Sequence, residues 1–387
     1  METQERSKML GTMEMGKLVP KVSIPIMISM LVQALYNVVD GIFVAKYSAA
    51  ALTAVSLAYP IQMLMIAVST GLGVGFNSLI SRKLGEKRAE EARDAAKNGM
   101  FTELCGYALF LVFGLLFAKP FFNLFTDDLE LQALGGEYLS IVCIFSFGLF
   151  FGICFERMMQ ATGNTVLSMV TQLTGAVINI ILDPIMIFGL LGCPAMGIAG
   201  AAIATVIGQI GGMTLGLVLN QAKNVELRLH LKGFRPNKTI LKGILDVGFP
   251  SIIMQSISSV MNVLMNMILL GFGATAVNVL GVYFKLQSFV FMPVFGLSNG
   301  LVAILGYNYG ARMRKRVYDA LKVALIWAAA IMLLGTVAFL LIPETLLSLF
   351  ESGDARELTA MGVVALRVIS LSFLLAAVGI TISTLFQ

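Results

Sequence analysis

Residues 22–45, "VSIPIMISMLVQALYNVVDGIFVA", form an apolar stretch of membrane-spanning length in which Asp40 is the one ionisable residue. A spanning helix needs about 20 mainly apolar residues. A carboxylate inside such a helix costs roughly 2.5–3.5 kcal/mol on insertion scales, so its presence indicates a functional site. Four polar side chains of this stretch recur at i, i+3, i+4 and i+7 and so share one helix face: Gln33, Tyr36, Asn37 and Asp40. This polar stripe predicts a helix that faces protein or a watery cavity on one side.

The whole chain has the composition of a membrane protein. Of its 387 residues 58% are hydrophobic and 13% are charged, and the mean hydropathy is +0.88, whereas soluble domains carry about 25% charged residues. We therefore predict an all-α polytopic membrane protein. Ten spanning helices are predicted, at 22–45, 52–80, 97–118, 133–157, 165–190, 196–219, 241–270, 276–307, 319–342 and 360–386.

Several classes of function are disfavoured by the residue inventory. The single histidine, His230, lies in a polar loop, which argues against a His-ligated metal site or His-based catalysis. The four cysteines show no pairing pattern and are interpreted as free thiols. The net charge of +5 reflects the membrane topology and does not indicate nucleic-acid binding.

The basic residues fall almost wholly on one side of the predicted spans. They cluster in the N-terminus and in the loops around residues 82–97, 223–242 and 312–322, whereas the opposite loops carry acidic clusters. Positive charge is retained on the cytoplasmic side. The pattern predicts a multi-pass protein of the inner (cytoplasmic) membrane whose N-terminus is cytoplasmic.

The second half of the chain repeats the first with a shift of 225 residues. The matched positions include prolines, amides and glycines, namely Pro25 with Pro250, Asn37 with Asn262, Gln62 with Gln287, Gly71 with Gly296, Gly75 with Gly300 and Gly85 with Gly310. The shift spans six helices, so both halves have the same orientation, as in parallel-repeat transporters. The repeat predicts two six-helix bundles, twelve helices in all, of which about ten are present. The chain is therefore expected to be C-terminally truncated.

This repeat divides the chain into four predicted regions. They are a cytoplasmic N-terminus (1–21), an N-lobe of helices one to six (22–222), a cytoplasmic inter-lobe loop (223–239) and an incomplete C-lobe of helices seven to ten (240–387).

Asp183 is even more isolated than Asp40, because it is the one charge between Arg157 and Lys223. Asn179 precedes it by four residues and shares its helical face. Pro184 follows and loosens the local backbone hydrogen bonding. Two carboxylates that face one cavity would bind a proton, or a Na⁺ in the same set of oxygens. The alternative is that each aspartate bonds to a neighbouring helix and only fixes packing.

Other charges within the spans carry weaker signals. Lys285 either lines the cavity or extends to the outer interface, and both interpretations remain open. Glu103 and Glu156 lie near predicted helix ends and are expected to be interfacial. Met27 and Met30 lie near the polar stripe and are candidates for the substrate cavity, since thioethers suit varied apolar ligands.

Several stretches resemble the multidrug and toxic compound extrusion (MATE) family, most closely its DinF-like branch. The resemblance runs from about residue 17 to 387 and includes "IPIMISMLVQALYNVVDGIFV", "ISRKLGEKR", "FERMMQATGN", "NIILDPIMIFG" and "GIAGAAIATVIGQ". It implies two six-helix lobes around a central cavity that opens alternately to either side. It also implies export of amphipathic, often cationic drugs in exchange for H⁺ or Na⁺, with no other cofactor. The expected surroundings are membrane lipids, and the expected oligomeric state is a monomer.

The family's N-lobe cation site maps onto Asp40, Asn179, Asp183 and Thr205 of this sequence. A possible Na⁺ would bind at the same four residues. Another branch of the family carries acidic residues in the C-lobe. Here no Asp or Glu lies between Asp246 and Asp319, and the repeat partner of Asp40 is Met265. The substrate cavity is expected to include Gln33, Tyr36, Asn37, Met27, Met30 and Lys285.

Two other classes of membrane protein, a flippase and an intramembrane enzyme, are alternatives to an exporter. A flippase for a lipid-linked precursor or polysaccharide, of the same superfamily, shares the repeat but favours basic cavities for anionic headgroups. An intramembrane aspartyl protease would also place two aspartates on separate helices, yet "NIILDPIM" lacks the glycine that such proteases place beside the second aspartate. The long repeat favours a transporter, so the chain is not expected to be an enzyme.

Overall fold

The computed structural model describes residues 6–230, 232–348 and 356–386. Within these ranges the regular elements are helices, joined by short loops and 3₁₀ turns. The helices of the first half are α1 (Arg6–Thr12), α2 (Met15–Tyr47), α3 (Ala49–Gly85), α4 (Ala89–Leu116), α5 (Ala118–Phe125), α6 (Leu129–Ile144), α7 (Phe147–Ala161), α8 (Thr165–Phe188) and α9 (Gly197–Lys223). Those of the second half are α10 (Lys238–Leu270), α11 (Ala274–Gly310), α12 (Arg314–Leu341), α13 (Pro343–Ser348), α14 (Arg356–Ser370) and α15 (Phe373–Ser383).

Eight of the described helices are long and apolar enough to cross a membrane, and two bent pairs raise the number to ten. The pairs are α6 with α7, bent by 42°, and α14 with α15, bent by 47°. The ten spans of an all-α membrane protein are thereby confirmed. The prediction of unbroken helices over 133–157 and 360–386 was wrong, because hydropathy stays high through both bends and gives no sign of them.

The structure also extends several spans beyond their predicted ends. Helix α4 begins at Ala89 rather than at residue 97, and α2 begins at Met15 rather than at residue 22. The added turns carry charged residues such as Glu90 and Lys17. A hydropathy criterion ends a span where charges begin, whereas a helix continues into water for as long as its backbone bonds persist.

The 225-residue repeat is visible in the backbone. Adding 225 to the first and last residue numbers of α3 and α4 gives the first and last residue numbers of α11 and α12. The loops between them share a left-handed residue, Lys87 (φ 60°) and Arg312 (φ 57°). The breaks of the spans α6–α7 and α14–α15 are related in the same way, to within one residue. We refer to α2–α9 as the N-lobe and to α10–α15 as the C-lobe.

The two lobes meet through a symmetric pair of contacts, with α3 packed on α10 and α2 packed on α11. A Cβ atom added to Gly71 would lie 2.8 Å from the backbone nitrogen of Ile252. The repeat-related Cβ atom on Gly296 would lie 2.7 Å from Cα of Met27. Residue 252 is the repeat partner of residue 27, so each contact is the image of the other. Glycine is needed at both places because the backbones touch.

The matched glycines at the ends of α3 and α11 continue this contact. Gly85 lies against the backbone of Tyr307, and Gly310 lies against the backbone of Arg82. These residues adjoin the basic loops, and we call this side of the bundle the basic end. The lobes are therefore in backbone contact at the basic end.

The short helix α1 crosses the junction of the lobes at the basic end. The Ser7 hydroxyl donates a hydrogen bond to Glu226, in the segment that follows α9. On the C-lobe side, Arg316 Nη2 donates to the carbonyl oxygens of Leu10 (3.2 Å) and Met13 (2.7 Å). Asn308 also donates to Leu10 O, at 2.9 Å. Helix α1 thus bonds to both halves of the chain.

Candidate cation-binding site in the N-lobe

Close packing of α8 on α9 sets the position of the first two candidate residues. A Cβ atom on Gly208 would lie 2.7 Å from the carbonyl oxygen of Gly175 and 3.1 Å from Cβ of Asn179. Small residues let helices approach in this way within a membrane. As a result Asn179 Nδ2 reaches Thr205 Oγ1 at 3.4 Å.

Asp183 lies one turn further along the same face of α8. Its side chain is fully buried, and Asn179 Nδ2 donates to its Oδ1 at 3.2 Å. Its other oxygen, Oδ2, has no hydrogen-bond donor among the described residues. Pro184 lies inside α8 and cannot donate a backbone hydrogen bond, so a carbonyl of the preceding turn is released. Asp183 therefore lies in a pocket that can supply further oxygen ligands.

Helix α2 packs along α8 and brings Asp40 to this pocket. Asp40 is half-buried, and its carboxyl group lies within hydrogen-bonding range of Asp183. Its Oδ1 also has no donor in the described part of the chain. When both carboxyl groups are ionised, neither carries a hydrogen, so no hydrogen bond can form between them. Two adjacent buried carboxylates therefore require a proton or a cation between them.

The donor set fits a proton or a monovalent hard cation. Three buried oxygens of these residues have no hydrogen-bond partner within the described ranges: Asp40 Oδ1, Asn179 Oδ1 and Asp183 Oδ2. Carboxylate, amide and hydroxyl oxygens are ligands for hard cations rather than for zinc or copper. No group of three or more His, Cys, Asp or Glu side chains with metal-ligand spacing occurs in the described ranges.

Aromatic and amide side chains line the pocket beside the carboxylates. Tyr36 of α2 lies near both aspartates. Tyr138 of α6, also near both, is buried, and it accepts a hydrogen bond from Gln62 Nε2 at 3.0 Å. Tyr138 carries no local signal in the sequence and was not among the predicted site residues. Gln62 did carry one, because the repeat pairs it with Gln287.

The residues expected to line the substrate cavity are spread more widely. Gln33 and Met30 are half-buried on α2, and Asn37 is exposed. Met27 packs on the C-lobe core at the contact with α11. Lys285 is an exposed residue of α11. The structure thus gathers the four candidate cation ligands, while the cavity candidates extend along α2 and onto α11.

Ten apolar spans among the described residues, arranged in two repeated halves, are typical of a membrane transporter. The MatE family profile matches residues 25–185 and 250–387, more than half of the chain. The chain therefore belongs to the MatE family and is a membrane transporter, not an enzyme.

Curated relatives and solved structures agree with this assignment. The multidrug export protein MepA of Staphylococcus haemolyticus is 26% identical over 366 residues, which cover 94% of this chain and 79% of the relative. The MepA of Staphylococcus aureus strain MSSA476 is 26% identical over 370 residues, 94% of this chain and 80% of the relative.

Two solved structures show the same fold. A multidrug resistance MATE family transporter in an outward-facing conformation superposes with a TM-score of 0.93 at 27% identity, covering 99% of this chain and 84% of that one. A MOP superfamily transporter from Pyrococcus furiosus, described as having a binding pocket of reversed polarity, gives 0.92 at 28% identity, covering 98% and 83%.

Proposed function

We propose that this transporter exports amphipathic and cationic drugs in antiport with H⁺ or Na⁺. The observation that supports the proposal is the pair of adjacent carboxylates of Asp40 and Asp183, beside the Asn179 oxygen that has no donor among the residues described. Thr205 completes the set through Asn179. The MepA relatives, named as multidrug export proteins, support the substrate class.

In this proposal the coupling ion and the drug compete for one conformation. Binding of a proton or a Na⁺ cancels one of the two negative charges of the carboxylate pair and lets α2 pack closely on α8. Release of the ion restores negative charge, which attracts a cationic drug to the polar face of α2. A ligand shifts such an equilibrium only through its different affinity for the two states, and neutralisation supplies that difference.

The direction of transport follows from the basic end, which the positive-inside rule places in the cytoplasm. Residues 1–21 and 223–239 would then be cytoplasmic, and residues 22–222 and 240–387 would form the two lobes. Because the lobes touch at the basic end, the structure corresponds to the state closed to the cytoplasm. The relative solved in an outward-facing conformation supports this interpretation.

Flipping of an anionic lipid-linked precursor is the second candidate. The Pyrococcus furiosus relative, described as having a pocket of reversed polarity and a different function, is the observation that favours it. The exposed Lys285 would suit an anionic headgroup, whereas the carboxylate pair would repel it. We therefore place drug export first.

The test uses proteoliposomes loaded with ethidium or norfloxacin, with efflux driven separately by a pH gradient and a Na⁺ gradient. Asp40→Asn and Asp183→Asn should each reduce gradient-driven efflux to the level of protein-free liposomes. Glu137→Gln, an exposed acid on α6, is the matched control and should transport normally. Full gradient-driven transport by both aspartate variants would overturn the proposed coupling site.

A further inference from the structure

A second group of charges lies inside the N-lobe, away from the aspartate pair. Glu103 of α4 is 0% exposed, and Glu156 and Arg157 of α7 are 9% and 4% exposed. The expectation that Glu103 is interfacial was therefore wrong, because its side chain is enclosed by protein, whereas Glu156 lies five residues before the end of α7 and its depth stays a prediction. Since α4 begins eight residues earlier than predicted, Glu103 lies about four turns inside the helix rather than near its end.

Glu103 is only partly satisfied in this position. The Ser69 hydroxyl of α3 donates to its Oε2 at 2.8 Å, but its Oε1 has no donor among the described residues. The groups that act on it from the packed helices are Ser69 on α3 and Cys154 and Arg157 on α7. Arg157 Nε is likewise buried without an acceptor in the described ranges.

The position of Arg157 is fixed from both sides. A Cβ atom on Gly73 of α3 would lie 2.9 Å from Cγ of Arg157, so this glycine admits the side chain. Arg157 Nη1 donates to Gln160 Oε1 at 3.1 Å, and Gln160 Nε2 donates to Ser168 Oγ at 3.0 Å. The guanidinium is thus held by packing against α3 and by the amide of Gln160.

Charge balance shows that this cluster is incomplete. Two ionised glutamates and one arginine leave one net negative charge in a buried site, and an uncompensated buried charge is strongly unfavourable. Glu156 already accepts a hydrogen bond from Gln172 Nε2 at 2.7 Å. In the described part of the chain Glu103 Oε1 has no donor, so the compensating positive charge is needed at Glu103.

The cluster is separated from the aspartate pair along the membrane normal. Asp40 and Asp183 lie seven and five residues before the ends of α2 and α8 that face away from the basic end. Arg157 lies four residues before the end of α7 that joins the basic end. The two sites are therefore at different depths of the same lobe.

We propose that Glu103 is a second proton-binding site of the N-lobe, which full burial keeps neutral as a carboxylic acid while Ser69 donates to its Oε2. This site is independent of the proposed coupling at Asp40 and Asp183. It takes a proton rather than Na⁺, because the one unpartnered oxygen of Glu103 is too few for a Na⁺ coordination shell.

Infrared spectroscopy of the full chain in an ester-free detergent at neutral pH tests the proposal. The starting protein carries Asp40→Asn and Asp183→Asn, which removes the coupling pair from the spectrum. A protonated carboxyl band, shifted in D₂O, should remain. It should disappear with Glu103→Gln and persist with Glu156→Gln and with the exposed control Glu137→Gln.

Three results would overturn the proposal: absence of the band in the starting protein, its survival in Glu103→Gln, or its loss on replacing choline with Na⁺. The first two would show that Glu103 is ionised, and the third would assign the charge to Na⁺.

Ser69→Ala gives a second test that does not require the Glu103 variant to fold. Removing the Ser69 hydrogen bond from the acid carbonyl should raise the band frequency, and an unmoved band would contradict the assignment. Since the band is measured without transport, its outcome is distinct from that of the efflux assay.

Discussion

The contact of Gly296 with α2 predicts that a single methyl group at this position opens the basic end. In Gly296→Ala the new Cβ would lie 2.7 Å from Cα and 2.8 Å from the backbone nitrogen of Met27. Ordinary contact begins near 3.4 Å, so α11 and α2 must separate by about 0.7 Å. Overpacking of this kind costs typically 1–3 kcal/mol. The cost applies only when the lobes touch, so the closed population should fall by roughly 5- to 150-fold relative to the open one.

The matched control is Gly281→Ala on the same helix, where the new Cβ would meet nothing within 4 Å. Both variants gain the same intrinsic helix propensity of about 1 kcal/mol, so their difference isolates the contact. The measurement is the distance between spin labels on Ala89→Cys and Arg314→Cys, the first residues of α4 and α12, after replacement of the four native cysteines. Gly296→Ala should lengthen this distance and Gly281→Ala should not. Equal distance distributions in the two variants would refute the reasoning.

Two further predictions concern the docking of α1, which is measured by the mobility of a spin label on Thr12→Cys. Arg316→Met removes two charge-assisted hydrogen bonds, to the carbonyl oxygens of Leu10 in α1 and of Met13 just after it, each worth about 1.5–3 kcal/mol. It should therefore mobilise the label, whereas its exposed neighbour in Lys315→Met should not. Burial raises the pKa of Glu226 despite the hydrogen bond from Ser7. The docked form therefore binds the proton more tightly than the undocked form, and docking should weaken as the pH rises from the ordinary glutamate pKa of about 4.3 through the raised value. Glu226→Gln should abolish this pH dependence, and an unchanged pH profile in that variant would contradict the assignment.

Much of the architecture could be predicted because its signals are local or periodic. Hydropathy locates each span, and the recurrence of glycine, proline and amide positions after 225 residues locates the repeat. Asp40 and Asp183 stand out because each is a lone charge in an apolar helix. These features lie in the sequence itself and can be recognised without knowing which helices are neighbours.

The features that could not be predicted depend on how neighbouring helices meet. Tyr138 gains its place beside the aspartates because α6 packs against α3, and no pattern within its own segment shows this. The bend between Ile144 and Phe147 lies in continuous apolar sequence. Glu103 was misassigned since hydropathy cannot say where a helix that continues into water begins.

The paired contacts of Gly71 with Ile252 and of Gly296 with Met27 have a consequence for the origin of the chain. Reciprocal contact of the same two surfaces is the rule at the interface of a symmetric homodimer. The present interface is what fusion of two copies of a six-helix protein would leave. An ancestral dimer of this kind would have carried two equivalent sites, one in each copy. Fusion freed each copy to change separately, and here an aspartate stands in the first where Met265 stands in the second. The two repeated halves could thereby differ in function, with the proposed ion site in the first of them.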